Sequence, residues 1–223
     1  MHIAPMGDSA VVIELGNVIK ETTLARVRAL AIALSHEPPA GVFDVVPAFT
    51  SVTVFYDLPL TMGLEALCAE LKVRAERVKP LKRKAVRTIT IPVCYGGEFG
   101  PDLAAVAAHA KLSEEAVVAR HAGSHYLVHA VGFTPGFPYL GGLPEELHTP
   151  RQAAPRTRVP AGSVGIGGAL TGIYPLESPG GWNLIGRTPL ALFRAGEAEP
   201  ALLRVADRVK FKPMTPEEFA AWK

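Results

Sequence analysis

Between Gly132 and Pro189 the chain reads GFTPGFPYLGGLPEELHTPRQAAPRTRVPAGSVGIGGALTGIYPLESPGGWNLIGRTP, and this stretch decides the fold. Of its 58 residues, 21 are Gly or Pro and only seven are charged, with no Lys or Asp among them. Proline removes a backbone donor and clashes inside a helix, and glycine serves tight turns and close backbone approach. The segment therefore predicts short strands joined by turns rather than helices. Neighbouring sequence extends the pattern. Val86 to Val93 (VRTITIPV) alternates as a strand, and the apolar runs Tyr126 to Val131, Leu190 to Phe193 and Leu202 to Phe211 read as further strands, giving a β-barrel or closed sheet. Two helices decorate it. Gly100-Pro101-Asp102 opens one, with Leu103, Val106, Ala107 and Ala110 on one side, and Ser113 caps another that runs through Glu114 and Glu115 to about Arg120.

Towards the N-terminus the pattern changes. Ser9 to Leu15, Val42 to Val46 and Val52 to Tyr56 read as strands, while Leu24, Val27, Leu30, Ala31 and Leu34 recur at helical spacing, as do Leu64, Leu67, Cys68, Leu71, Ala75 and Val78. Strands alternating with helices over so few residues predict a small sandwich with a sheet on one side and helices on the other. The fold class is α+β, with a small α/β domain over residues 1–84 and a barrel domain over 85–223. The boundary falls in the basic run Lys79-Pro-Leu-Lys-Arg-Lys84. With eight Lys or Arg and one acid from Lys72 to Arg87, but no interleaved aromatics, that run reads as a solvated helix end and linker, not a nucleic-acid patch.

The 223 residues carry a formal charge of +2, with 48% hydrophobic and 20% charged side chains, as in an ordinary globular protein. No run approaches the roughly 18 consecutive apolar residues that would span a bilayer, and the N-terminus lacks a basic segment leading into an apolar one, so a cytoplasmic, non-membrane protein is expected. Cys68 and Cys94 are too few for a disulfide framework or a four-ligand zinc site. No metal is expected.

Five glycines between Gly162 and Gly172 invite a phosphate-binding reading, but neither a G-x-x-x-x-G-K-[ST] loop nor a dinucleotide fingerprint is present. Glycines that let a barrel strand kink or approach another backbone are the alternative. Ser163 misses the G-x-S-x-G elbow by its first residue. His121, His125 and His129 recur every four residues, but Gly123 interrupts them, and on a strand the last two stand about 13 Å apart, too far for one metal. More informative is Gly132 to Gly142, where Phe133, Phe137 and Tyr139 ride on a backbone stiffened by Pro135 and Pro138, the composition of a pocket wall. Arg151, Arg156, Arg158 and Arg187 bring positive charge to this low-charge region. Each matches a small anionic ligand, or pairs with Glu145, Glu146 or Glu177.

Taken together, Gly7-Asp-Ser9, IPVCYGGEFGPD from Ile91 to Asp102, GFTPGFPYL from Gly132 to Leu140, PRTRVPAGSV from Pro155 to Val164 and TGIYPLESPGGWNLIGRT from Thr171 to Thr188 resemble the B subunit of bacterial 5-oxoprolinase. That family is also labelled allophanate hydrolase subunit 1 and includes an inhibitor of a sporulation histidine kinase. The resemblance covers nearly the whole chain. It implies a cyclophilin-like β-barrel after the small α/β domain, and partners in the C and A subunits of 5-oxoprolinase, with which the chain would open 5-oxoproline to L-glutamate at the expense of ATP. The nucleotide would be bound mainly outside this chain. Carried over by position, Phe133 to Tyr139, Arg156 to Ser163 and Glu177 to Trp182 would form the ligand and partner surface, with Arg156 or Arg158 orienting the substrate carboxylate. Phe133, Pro135, Phe137, Tyr139, Arg156, Arg158, Ser163, Glu177, Trp182 and Arg187 are the candidate site residues. The resemblance assigns no catalytic acid or base to this polypeptide. Two alternatives stand beside this reading: a protein inhibitor of a sensor histidine kinase, and a component of an allophanate hydrolase or urea carboxylase-like carboxyltransferase. The chain has no Met-Lys-Met biotin-attachment site.

Overall fold

The computed structural model describes residues 1–79 and 87–222. The chain divides into two compact units on either side of the interval between them. The boundary near Lys84, and the basic run from position 80 onward, lie outside the described residues.

In the first unit, β1 (His2–Pro5), β2 (Ala10–Glu14), β3 (Val42–Ala48) and β4 (Ser51–Tyr56) form an antiparallel sheet in the order β1-β2-β4-β3. The helices are α1 (Glu21–His36) and α2 (Leu64–Arg77). Alternation along the strands puts Val11, Ile13, Val52, Val54 and Tyr56 on one face. These pack with the apolar stripes of α1 (Val27, Leu30, Leu34) and α2 (Leu67, Leu71, Ala75) into one core. The sequence pattern marked every element except β1, which is short and whose residues are only half-buried or exposed.

The second unit holds β5 (Thr88–Tyr95), α3 (Leu103–Ala110), α4 (Glu114–Gly123), β6 (Tyr126–Val131), β7 (Pro138–Gly141), β8 (Arg156–Val159), β9 (Ser163–Gly167), β10 (Leu170–Ile173), β11 (Ser178–Gly180), β12 (Asn183–Arg187), β13 (Arg208–Pro213) and α5 (Pro216–Ala220). Seven of these strands close into a barrel in the order β10-β7-β6-β13-β5-β12-β9, and β8 and β11 form a separate two-stranded ribbon. The β5 and β13 pair is parallel, while the other barrel pairs are antiparallel. Ile91, Val93, Val128, Leu140, Val164, Ile166, Ile185 and Val209 fill the interior with Val106 of α3 and Val117 of α4. The Ser113 side chain accepts from the Ala116 N–H at 3.2 Å and starts α4, as its sequence signature predicts.

Two expected strands are not formed as read. Leu190 to Phe193 is irregular apart from one bridge between Phe193 and Ala201, and strand structure in the last run begins only at Arg208. Leu192 and Leu203 are buried against the barrel core without joining its ladder. The chain turns before Arg208 because the Asp207 carboxylate accepts from the Arg204 N–H at 2.8 Å and Ala206 takes a left-handed φ of 73°. An apolar run therefore caps the barrel rather than extending it.

His121, on α4, is fully buried. Its ring lies 4.5 Å from that of Phe211 in a stacked arrangement. The Thr171 hydroxyl donates to the Gly165 carbonyl at 3.0 Å, so it accepts from His121 Nε2–H at 3.0 Å, and Nδ1 is left to accept from the Tyr95 hydroxyl at 2.8 Å. The Tyr126 hydroxyl donates to the His121 carbonyl at 2.8 Å. This network ties α4 to β5, β6 and β10. His125 is exposed just before β6, and His129 is half-buried on it. Among the described residues no three His, Cys, Asp or Glu side chains converge as metal ligands, and no helix is long and apolar enough to cross a membrane.

Candidate ligand-binding site

The glycine-rich hairpin of β9 and β10 has a specific use. A Cβ at Gly167 would lie 2.7–2.8 Å from three atoms of the Trp182 indole, and one at Gly172 would lie 2.9 Å from both Trp182 and Phe137. Real Cβ atoms do not approach so closely, so the bare backbone forms the bed on which Trp182 lies. The amides of β9 are engaged as well, since this strand pairs with β10 on one side and β12 on the other. A phosphate cradle needs amides pointing at free space, and this hairpin does not offer one.

Around Trp182 the rings pack edge to face. Phe137 makes contacts of this kind with Trp182 (5.4 Å between centroids, 89°), Tyr174 (5.1 Å, 79°) and Tyr139 (4.9 Å, 61°). These geometries suit the ring quadrupoles and lock the cluster. Its surface opens as a concavity of about 300 Å³, lined by Phe133, Phe137, Tyr139, Tyr174 and Trp182, by Arg151 and Pro155, and by Pro179 to Gly181 from the β11 end. That volume lies at the small end of ligand clefts, which run from about 300 to 1,000 Å³. Burial pushes the phenols of Tyr139 and Tyr174 up, so both are neutral donors at ordinary pH. Phe133 stands at the lip, 67% exposed, with a left-handed φ of 74°. A bulky residue held there stores strain, a feature that gathers at ligand clamps.

Of the ten candidate residues from the sequence, Phe133, Phe137, Tyr139 and Trp182 line this cup together. Pro135 is exposed on the same loop but is not part of the lining. The remaining five are placed elsewhere. Ser163 is buried in β9. Arg156 donates to Asp102 Oδ1 at 2.7 Å, and Asp102 Oδ2 accepts from the Leu184 N–H at 2.7 Å, so this pair fastens the start of α3 to β8 and β12. Arg158 makes a bidentate pair with Glu177, both bonds 2.9 Å, which raises the one pKa and lowers the other. Arg187 Nε donates to the Ala161 carbonyl at 2.9 Å. Tyr174 was not singled out by the sequence. Its Tyr-Pro context on a short strand end gives no signal, and only the fold brings it beneath Phe137.

The family described as carboxyltransferase domain, subdomain C and D, matches residues 1–203. The chain is 44% identical to the 5-oxoprolinase B subunit of Bacillus subtilis (strain 168), over 100% of this chain and 96% of that one. It is 49% identical to the 5-oxoprolinase B subunit of Escherichia coli O157:H7, over 93% and 94% respectively. A stretch of 68 residues is 43% identical to the urea amidolyase of Lachancea kluyveri, covering 28% of this chain and 4% of that one. Among solved structures, TTHA0988 matches with a TM-score of 0.80 at 40% identity over 92% of this chain, which spans 40% of the length of that chain. The K. lactis urea amidolyase shares the fold, with a TM-score of 0.81 at 21% identity over 98% of this chain and 15% of its own. Matched over nearly all of its length by proteins of one name, the chain belongs to the 5-oxoprolinase B-subunit family and to the carboxyltransferase domain family, subdomain C and D.

Proposed function

We propose that this chain is the B component of an ATP-dependent 5-oxoprolinase, acting with the A and C subunits to open 5-oxoproline to L-glutamate. The observation that carries this reading is identity of 44–49% to three proteins named as the 5-oxoprolinase B subunit, each matched over at least 93% of this chain. The chemistry explains the need for ATP. The lactam amide is resonance-stabilised and re-forms readily. Transfer of the γ-phosphoryl group to the carbonyl oxygen breaks the terminal phosphoanhydride and creates a leaving group. Water then adds to the carbonyl carbon, the C–N bond breaks as the nitrogen takes a proton, and a second water hydrolyses the acyl phosphate that remains, releasing phosphate and the new carboxylate. The paired amides of the glycine-rich hairpin do not suit a nucleotide, so no step involving one is assigned to this chain. In this reading the aromatic cup receives the ring of the substrate and excludes water from it, while a partner polypeptide completes the enclosure.

The test is reconstitution. The chain alone should release no glutamate from 5-oxoproline and ATP, and adding the A and C subunits should start release. If the complete mixture stays silent, the reading is wrong. The carboxyltransferase family match supports a second reading, transfer of a carboxyl group to or from a urea-derived substrate. Allophanate and urea, offered in the same mixture with bicarbonate and a biotin-bearing carrier protein, distinguish the two, since only the second predicts turnover of either.

A further inference from the structure

We infer that Arg151 is the residue through which the aromatic cup reads its ligand, and that the group it reads is a single carboxylate. This rests on the cup being the substrate-facing part of the chain. The four arginines near the barrel rim differ in what they already hold. Arg156 donates to Asp102 through Nη2, its buried Nη1 has no partner, and it stands outside the cup lining, while Arg158 pairs with Glu177 and Arg187 donates to a backbone carbonyl. Arg151 lies with its guanidinium carbon 5.8 Å from the centroid of the Trp182 ring, lines the concavity, and forms no ion pair with any described residue.

Its backbone is held on both sides. Asn183 Nδ2 donates to the Pro150 carbonyl at 2.8 Å, the Gln152 N–H donates to the Gly181 carbonyl at 2.7 Å, and Gln152 Nε2 donates to Asn183 Oδ1 at 2.9 Å. One residue earlier, Thr149 pairs through both backbone groups with Gly168. Arg151 thus sits on a loop whose backbone is held at both neighbours, with its exposed side chain beside the Trp182 ring. A guanidinium with no acid partner, within cation–π distance of an indole, keeps its fork of donors for an incoming carboxylate. The rings of Tyr139, Tyr174 and Trp182 wall an apolar space of about 300 Å³ beside Arg151, and the lining offers no second cation to a dianion.

The experiment uses the full-length chain carrying Trp222→Phe, which leaves Trp182 as the sole tryptophan, and reads its fluorescence. The probes are 5-oxoproline, cyclopentanecarboxylate and 2-pyrrolidinone, the last having the lactam ring without the carboxylate. Both carboxylates should perturb Trp182, and pyrrolidinone should do so roughly 10- to 100-fold more weakly, the range of a charge-assisted hydrogen bond. Arg151→Gln should erase the difference between carboxylate and pyrrolidinone. Arg151→Lys, which keeps the charge but loses the fork, should restore part of it, and Arg158→Gln should leave it unchanged. Equal binding of the three probes, no perturbation by any of them, or equal loss in the Arg151 and Arg158 variants would each overturn the inference. In the reconstituted complex Arg151→Gln should raise KM for 5-oxoproline by the same factor with kcat little changed. An unchanged KM in an active complex rejects the role of Arg151 and leaves the oxoprolinase reading intact. Arg151-dependent binding of cyclopentanecarboxylate without any glutamate release does the reverse.

Discussion

Titrating His121 tests the barrel's internal wiring. The ring is fully buried among Tyr95, Tyr126, Phe211 and Thr171, with no carboxylate against it, and burial pushes its pKa from 6.5 down to about 3. A depressed pKa means that the unfolded chain takes up a proton between these two values and the folded chain does not. Stability contributed by the neutral ring is therefore complete above about pH 6.5 and is lost progressively as pH falls towards 3, at up to about 1.4 kcal/mol per pH unit. Between about pH 7.5 and pH 5 the expected loss from this one group is roughly 2 kcal/mol. Other groups titrate in the same window, among them His129, whose pKa burial also lowers. The measurement is accordingly a difference. Urea unfolding of the wild type and of His121→Leu is followed at several pH values across that range. The variant is less stable at neutral pH because Tyr95 and Thr171 lose their partner, but its pH dependence should be shallower by about 2 kcal/mol over that range. Parallel curves would show that His121 titrates normally in the folded chain and would refute its confinement there as a neutral ring. Imidazole nitrogen shifts report the same point independently, with Nε2 carrying the proton.

Two further outcomes follow from the geometry. Gly167→Ala places a methyl within 2.7–2.8 Å of the Trp182 indole and should cost about 1–3 kcal/mol of stability and shift Trp182 emission. In a Trp182→Ala background the same substitution should cost almost nothing, and strictly additive effects in that double-mutant cycle would show that the glycine is not there for the indole. Asp102→Ala removes the acceptor for both Arg156 and the Leu184 N–H and should destabilise the chain by about 2–4 kcal/mol in denaturant unfolding. A loss under about 0.5 kcal/mol would mean that this pair does not fasten α3 to the barrel.

How much was legible in the sequence depended on the range of the interaction involved. Helical spacing in Leu24 to Leu34 and Leu64 to Val78, strand alternation in Val52 to Tyr56 and the Ser113 cap are set within a few residues, and all appear where expected. The Gly and Pro content of residues 132–189 was enough to exclude helix and to point to a closed sheet. Leu202 to Phe211 misled because an apolar run reads alike whether it joins a ladder or caps a barrel end. The choice there was made by Asp207, whose carboxylate turns the chain at Arg204 and also pairs with Arg87, 120 positions away.

From composition and short-range pattern alone came the α+β class and the aromatic loop as a pocket wall. Which arginine is left without an acid partner was decided by tertiary structure. Arg156 finds its acid 54 positions away and Arg158 finds one 19 positions away, while Arg151 is fixed over an indole 31 positions on. Gly165, Gly167 and Gly172 likewise carried no sign of Trp182 until β9, β10 and the turn before β12 came together. Ion pairs and ring contacts depend on distance through space, and a linear sequence records distance along the chain only.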